Sequence, residues 1–305
     1  MRTLLTRPEG ARRRIPAIYF VQWLSCDTVE IGQTTDGWAQ MMRILVQDSG
    51  MVVMRLDKAG AGDSEGVCSE LDYETELAHH KLALQSLIQS PWIDRERIFV
   101  FGASMGANFA PLLANGEHVR GVAVWGGGAQ SWFERQLGFE RRALELSNTS
   151  GAEIDRRIRI LSRVYSAVLL DGSRPADLAS RDPDFAAAWQ LATGAESDTQ
   201  FGRSIIFHQQ AQAQQWARAW ETLNAPVLVL YGENDWYACV ESVELIGSIV
   251  NRSTSGRAEV RILPGVDHHF TRYRSKRDAF TSTGGVPDAK AAMDILLPWL
   301  KRHAE

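Results

Sequence analysis

Ile98-Phe99-Val100-Phe101-Gly102-Ala103-Ser104-Met105-Gly106-Ala107 is the stretch on which the fold turns. Four apolar residues read as a buried strand. Glycines two before and two after Ser104 follow at once, and a helical pattern runs on through Ala110 and Leu113. A nucleophile lifted on a tight strand-to-helix turn needs that spacing, because the backbone is strained and helix and strand approach closely. The helix N-terminus would also bring backbone N–H groups to the place where an oxyanion develops. The alternative, an ordinary structural serine, explains neither the preceding strand nor the following helix.

Working outward, short apolar runs alternate with helical patterns, as in a parallel sheet wrapped by helices. Ala17–Val21, Met51–Leu56 and Val119–Trp125 are further strand candidates, and one more strand around Arg2–Thr6 can precede them. Tyr73–Gln89 reads as a helix with Leu77, Leu82, Leu84, Leu87 and Ile88 on its apolar side. The adjacent His79 and His80 in it are expected at its surface and boundary. From 131 to 223 no strand is legible, only amphipathic helical stretches such as Ile154–Leu161. Ala225–Tyr231 and Ala258–Leu263 then resume the strand signal. A last helix runs from about Asp288 to His303, and Pro298 should kink or interrupt its end. The expected organisation is a core of residues 1–130 and 224–305, with a helical cap of 131–223 inserted in it.

A serine hydroxyl needs a base, and the base needs a group that orients it. Tyr231-Gly232-Glu233-Asn234-Asp235 follows one late strand, and Leu263-Pro264-Gly265-Val266-Asp267-His268-His269 follows the next. Parallel strands bring their C-terminal ends to one edge, so Ser104, Asp235 and His268 can converge there. Glu233 competes with Asp235 as the acid, and His269 stands beside His268. Asp235 read alone also suits a turn or a helix cap.

With these residues the chain resembles the α/β-hydrolase superfamily, in particular bacterial serine carboxylesterases with a helical cap. The resemblance covers roughly 15–127 and 224–303. It implies a mostly parallel, doubly wound α/β sheet, with Ser104, Asp235 and His268 as catalytic residues. The order Ser, Asp, His along the chain is the one this fold uses. The loop Asp57–Gly66 is similar to the one such enzymes carry before the nucleophile strand, its Asp63 and Ser64 being structural. The resemblance also implies an oxyanion hole from the amides of Met105 and Leu24. Where relatives usually carry His-Gly, this chain has Gln22-Trp23, and tryptophan lacks glycine's conformational range. Serine at the elbow, in place of a carboxylate, argues against haloalkane dehalogenation.

Composition limits the rest. A net charge of -4 leaves no basic footprint for nucleic acid, and the basic run Arg272–Arg277 reads as a solvated face. No apolar run reaches membrane-spanning length. Three cysteines, Cys26, Cys68 and Cys239, are too few and scattered for a disulfide framework and fit a reducing compartment, so the expected location is cytoplasmic. No cofactor or metal site is implied, since no Cys or His pair stands at ligand spacing. Of ten tryptophans, Trp23, Trp132 and Trp236 lie close in sequence to the catalytic loops, where they would bind an apolar or aromatic group of a small-molecule substrate. The expected chemistry is ester hydrolysis through an acyl-enzyme. Acyl transfer, thioester hydrolysis, carbon–carbon bond hydrolysis and peptidase action are alternatives on the same triad. A non-catalytic ligand-binding protein on the same fold is the alternative from another class.

Overall fold

A computed structural model describes residues 1–10, 14–193 and 198–305. Its centre is a seven-stranded sheet, built from β1 (Thr3–Thr6), β2 (Ile15–Val21), β3 (Val52–Leu56), β4 (Ile93–Ala103), β5 (Gly121–Trp125), β8 (Val227–Gly232) and β9 (Ala258–Leu263). The spatial order is β1-β3-β2-β4-β5-β8-β9, with β1 antiparallel and every other pair parallel. Period-2 alternation fills both faces. β2 sends Ala17, Tyr19 and Val21 to one core, and Ile18 and Phe20 to the other. Strands buried on both sides carry continuous apolar runs, which is why they are legible as such. β4 is longer than its apolar run, because its first half, through Asp94-Arg95-Glu96-Arg97, is largely solvated and has no apolar signature.

One face is covered by α1 (Gly37–Asp48) and α12 (Lys290–Ala304), the other by α2 (Tyr73–Gln89), α3 (Gly106–Ala114) and α10 (Val240–Ser253). Against expectation, α12 is not interrupted at Pro298. Leu296, Trp299 and Leu300 anchor it in the core on both sides of the proline. His80 also departs from the expectation: it is fully buried on α2 and hydrogen-bonds the Tyr19 hydroxyl at 2.8 Å.

Between β5 and β8 lie α4 (Trp132–Leu146), α5 (Gly151–Tyr165), a π-helical turn (Ser166–Leu170), α6 (Pro175–Ala179), α7 (Pro183–Thr193), α8 (Ile205–Ala213) and α9 (Trp216–Thr222). The stretch is not purely helical: β6 (Thr199–Gln200) and β7 (Arg203–Ser204) form a two-residue hairpin. Residues 194–197 of the expected cap lie outside the described residues. α9 packs on α3 and α10, alongside the sheet. Towards the C-terminus come β10 (Thr271–Arg272), α11 (Lys276–Phe280) and β11 (Val286–Pro287), the two strands forming another small hairpin. Arg272, Arg274 and Arg277 there are exposed, as a solvated face requires. Among the described residues no helix is long and apolar enough to cross a membrane.

Candidate active site

β4 delivers Ser104 to the C-terminal edge of the sheet. Ser104 has a positive φ of 56°, and its N–H donates to the Trp125 carbonyl at 2.8 Å. The flanking glycines are steric necessities. A Cβ on Gly102 would sit 2.2 Å from the Gly106 carbonyl, and one on Gly106 would sit 2.0 Å from the Val21 carbonyl. The strained turn therefore exists only with glycine on both sides.

β8 and β9 end beside it. His268 Nε2 lies 2.9 Å from Ser104 Oγ, and His268 Nδ1 lies 2.6 Å from Asp235 Oδ2. The other carboxylate oxygen, Oδ1, accepts the N–H groups of Tyr237 at 2.8 Å and Ala238 at 2.9 Å. Burial pushes the Asp235 carboxyl up, but His268 and the two amides outweigh it and hold the group below its usual value. Trp125 donates its indole N–H to the His268 carbonyl at 2.9 Å and stacks on Phe270, which fixes the loop. His268 therefore reaches Ser104, whereas the exposed His269 turns to Asp267. Glu233, the competing acid, instead accepts the Gly265 N–H at 2.9 Å.

The loop after β2 is held from several sides. Trp23 Nε1 and Ser25 Oγ both donate to Asp27, and Gln22 Nε2 donates to the Asp27 carbonyl. Beneath it, the fully buried Lys58 donates to the carbonyls of Trp23 at 2.7 Å and Leu24 at 3.3 Å, and Arg203 from β7 donates to Leu24 at 3.0 Å. In trans peptides the N–H lies opposite the C=O, so the amides of Leu24 and Ser25 turn away from these cations. Glu76 is the anion that the two cations share, 3.3 Å from Lys58 and in contact with Arg203. Burial pushes the Lys58 ammonium down to about 8, against the pull of Glu76. Burial likewise opposes the Glu76 carboxylate, yet Lys58 and Arg203 hold it well below the carboxylate range.

A disulfide joins Cys26 in this loop to Cys68 after β3. This corrects the expectation of unpaired cysteines, and with it the support they lent to a reducing compartment. Parallel pairing of β2 with β3 places the two loops side by side, a proximity that a separation of 42 residues conceals. Asp63 and Ser64 are structural as expected, Ser64 tying Asp57 to the backbone of Arg2.

Around Ser104 opens a cavity of about 390 Å³, lined by Leu24, Met105 and the aromatic residues Trp23, Trp38, Trp132, Phe139, Phe201 and Tyr237. Trp23 and Trp132 are thus at the cavity that holds Ser104. Trp236 is not: it stacks on Phe139 behind the wall, while Tyr237 lies face to face with the His268 ring. Asp235 accepts the amides of Tyr237 and Ala238, which turns the chain so that Tyr237 reaches the cavity and Trp236 packs beside it, their ring centres 4.1 Å apart. The wall from α4 has a signal in the sequence. Ser131 and Glu134 form a reciprocal capping box, after which Trp132, Arg135, Gln136 and Phe139 fall at i, i+3, i+4 and i+7 on one helix face. Trp38 and Phe201 have no such local sign. Among the described residues no cluster of metal-ligating side chains occurs.

A family model described as serine aminopeptidase, S33, matches residues 34–274. The chain belongs to that family. Its fold is the α/β-hydrolase fold, shared with solved structures of low sequence identity. Est1E from Butyrivibrio proteoclasticus, solved with ferulic acid, has a TM-score of 0.57 at 13% identity, covering 97% of this chain and 94% of its own. Proline iminopeptidase from Mycobacterium smegmatis has a TM-score of 0.56 at 16% identity, covering 99% and 94%. Monoacylglycerol lipase from Paleococcus ferrophilus has 0.55 at 16%, covering 99% and 100%. No curated protein matches this α/β hydrolase in sequence.

Proposed function

We propose that the protein is a serine hydrolase that cleaves carboxylic esters through an acyl-enzyme, on the strength of one observation above all. Ser104, His268 and Asp235 form a continuous hydrogen-bonded chain whose serine and histidine line an aromatic cavity. Ser104 Oγ attacks the ester carbonyl while His268 Nε2 takes its proton. The tetrahedral oxyanion is received by the amides of Met105 and Leu24. His268 then gives the proton to the departing alcohol, and water repeats the sequence in reverse roles to free the acid. Asp235 orients the imidazole and stabilises its cation. Residues 131–223 act as the cap, with α4 forming the wall that selects the substrate.

Peptidase action is the second reading, favoured by the family's description and by the iminopeptidase among its structural relatives. An aminopeptidase must hold a protonated amine. Here the cavity offers the cation Arg135, and its carboxylate Asp27 is engaged by Trp23 and Ser25, so the lining favours an ester. The test is labelling with a fluorophosphonate, followed by turnover of acyl p-nitrophenyl esters and aminoacyl p-nitroanilides. Labelling abolished in Ser104→Ala, with esters turned over faster than anilides, is expected. Labelling that survives Ser104→Ala would overturn the assignment.

A further inference from the structure

Into this largely aromatic cavity α4 brings two polar side chains, Arg135 and Gln136. Arg135 donates to Asn108 Oδ1 at 2.9 Å and lies 5.4 Å from the Trp132 ring centre. Asn108 belongs to the helix that begins at the nucleophile, and its amide nitrogen is spent on the Gly128 carbonyl, so the guanidinium is held in place. A guanidinium has five N–H donors. Among the described residues no carboxylate pairs with this one, and Asp235, the acid it feels most, is committed to His268. Arg142, two turns along the same helix, brings more positive charge and is spent on the carbonyls of Trp236 and Tyr237. Beside Arg135, Gln136 is only 2% exposed, lines the cavity, and makes no side-chain hydrogen bond among the described residues.

Holding a partly buried cation in an aromatic pocket is costly unless something of opposite charge completes it. A planar fork next to an amide donor matches a carboxylate, which accepts two parallel N–H bonds from arginine and one more from a neighbour. Asp27, the cavity's own carboxylate, is exposed and engaged within its loop.

We propose that the pocket receives a substrate bearing a carboxylate on an apolar or aromatic skeleton, bound by Arg135 and the Gln136 amide. The idea deepens the serine-hydrolase reading by naming the substrate class, and binding can be tested without turnover. Ser104→Ala is titrated with 4-phenylbutyrate and with 4-phenylbutyramide, following the fluorescence of the cavity tryptophans. The carboxylate should bind at least about 10-fold more tightly, the range for a hydrogen bond to a charged group. Adding Arg135→Met should erase that preference, Arg135→Lys should keep part of it, and Gln136→Leu should reduce it. In the active enzyme, p-nitrophenyl hemiglutarate should exceed the p-nitrophenyl ester of monomethyl glutarate in kcat/KM, and Arg135→Met should collapse the ratio. Equal binding of acid and amide, or a preference untouched in both Arg135 variants, would overturn the proposal. If the carboxylate preference holds but no ester is turned over, the hydrolase reading fails and this one stands. Turnover without any preference does the reverse.

Discussion

Replacing Glu76 by glutamine probes the charges buried beneath the loop after β2. The substitution keeps the side chain's size and removes the one anion shared by Lys58 and Arg203, both fully buried. Breaking a buried pair by removing one partner costs about 3–5 kcal/mol, because the remaining charge is stranded away from water. Both cations keep backbone acceptors at Trp23, Leu24 and Leu71, so the lower end, about 3 kcal/mol, applies. At about 2.1 cal/mol/K of unfolding entropy per residue, a chain of 305 residues converts this into a Tm fall of about 5 °C. Thermal unfolding followed by circular dichroism at pH 7 reads it directly. Adding Lys58→Met to Glu76→Gln should recover part of the loss, since one stranded charge is then gone. A fall below about 1 °C, roughly 0.6 kcal/mol on the same conversion, would refute the reasoning.

Other outcomes follow from the same geometry. Ser104→Ala and His268→Ala should each lower kcat by about 10⁴- to 10⁶-fold, and the double variant by scarcely more, while His269→Ala retains much of the activity. Single-turnover acylation on folded variants checks this, and a dead His269→Ala with an active His268→Ala would contradict it. Lys58 titrates near 8 in the folded chain and near its ordinary 10.5 when unfolded, so between those values only the unfolded state holds the proton. Stability should therefore rise with pH across that window relative to Lys58→Met, by about 3 kcal/mol, and parallel Tm curves for the two proteins would exclude it. Opening the Cys26–Cys68 bond, which spans 42 residues, should cost up to about 4 kcal/mol by the chain-entropy estimate. Denaturant unfolding of Cys26→Ala/Cys68→Ala measures it.

The proposed triad was legible because each member follows closely on a strand that is itself legible, so local reading plus the parallel-edge rule brought Ser104, Asp235 and His268 together. The cavity wall was less so. Trp38 reaches it from α1, whose Gly37 packs against the carbonyls of His269 and Phe270, a contact that no sequence distance announces. Trp236 misled because nearness to Asp235 along the chain does not say which way the turn sends the side chain. His80 was expected at a boundary, yet Tyr19 and Glu76 give it polar company inside the core. Polar residues that are buried because they have partners look, in sequence, like polar residues at the surface. The first half of β4 was invisible because Asp94–Arg97 lie in the break of register between the Ile93 and Ile98 pairings, where the side chains are free to be charged.

The disulfide also bears on the order in which the chain assembles. Cys26 and Cys68 face each other only once β2 and β3 lie side by side, and parallel neighbours require the whole crossover through α1 to be in place. Such non-local pairing is slow relative to helix formation. The appearance of this one bond during refolding is therefore a covalent clock for the first β–α–β unit. Acid quenching and thiol counting at successive times would give the rate at which that half of the sheet is laid down, independently of any optical signal from the ten tryptophans.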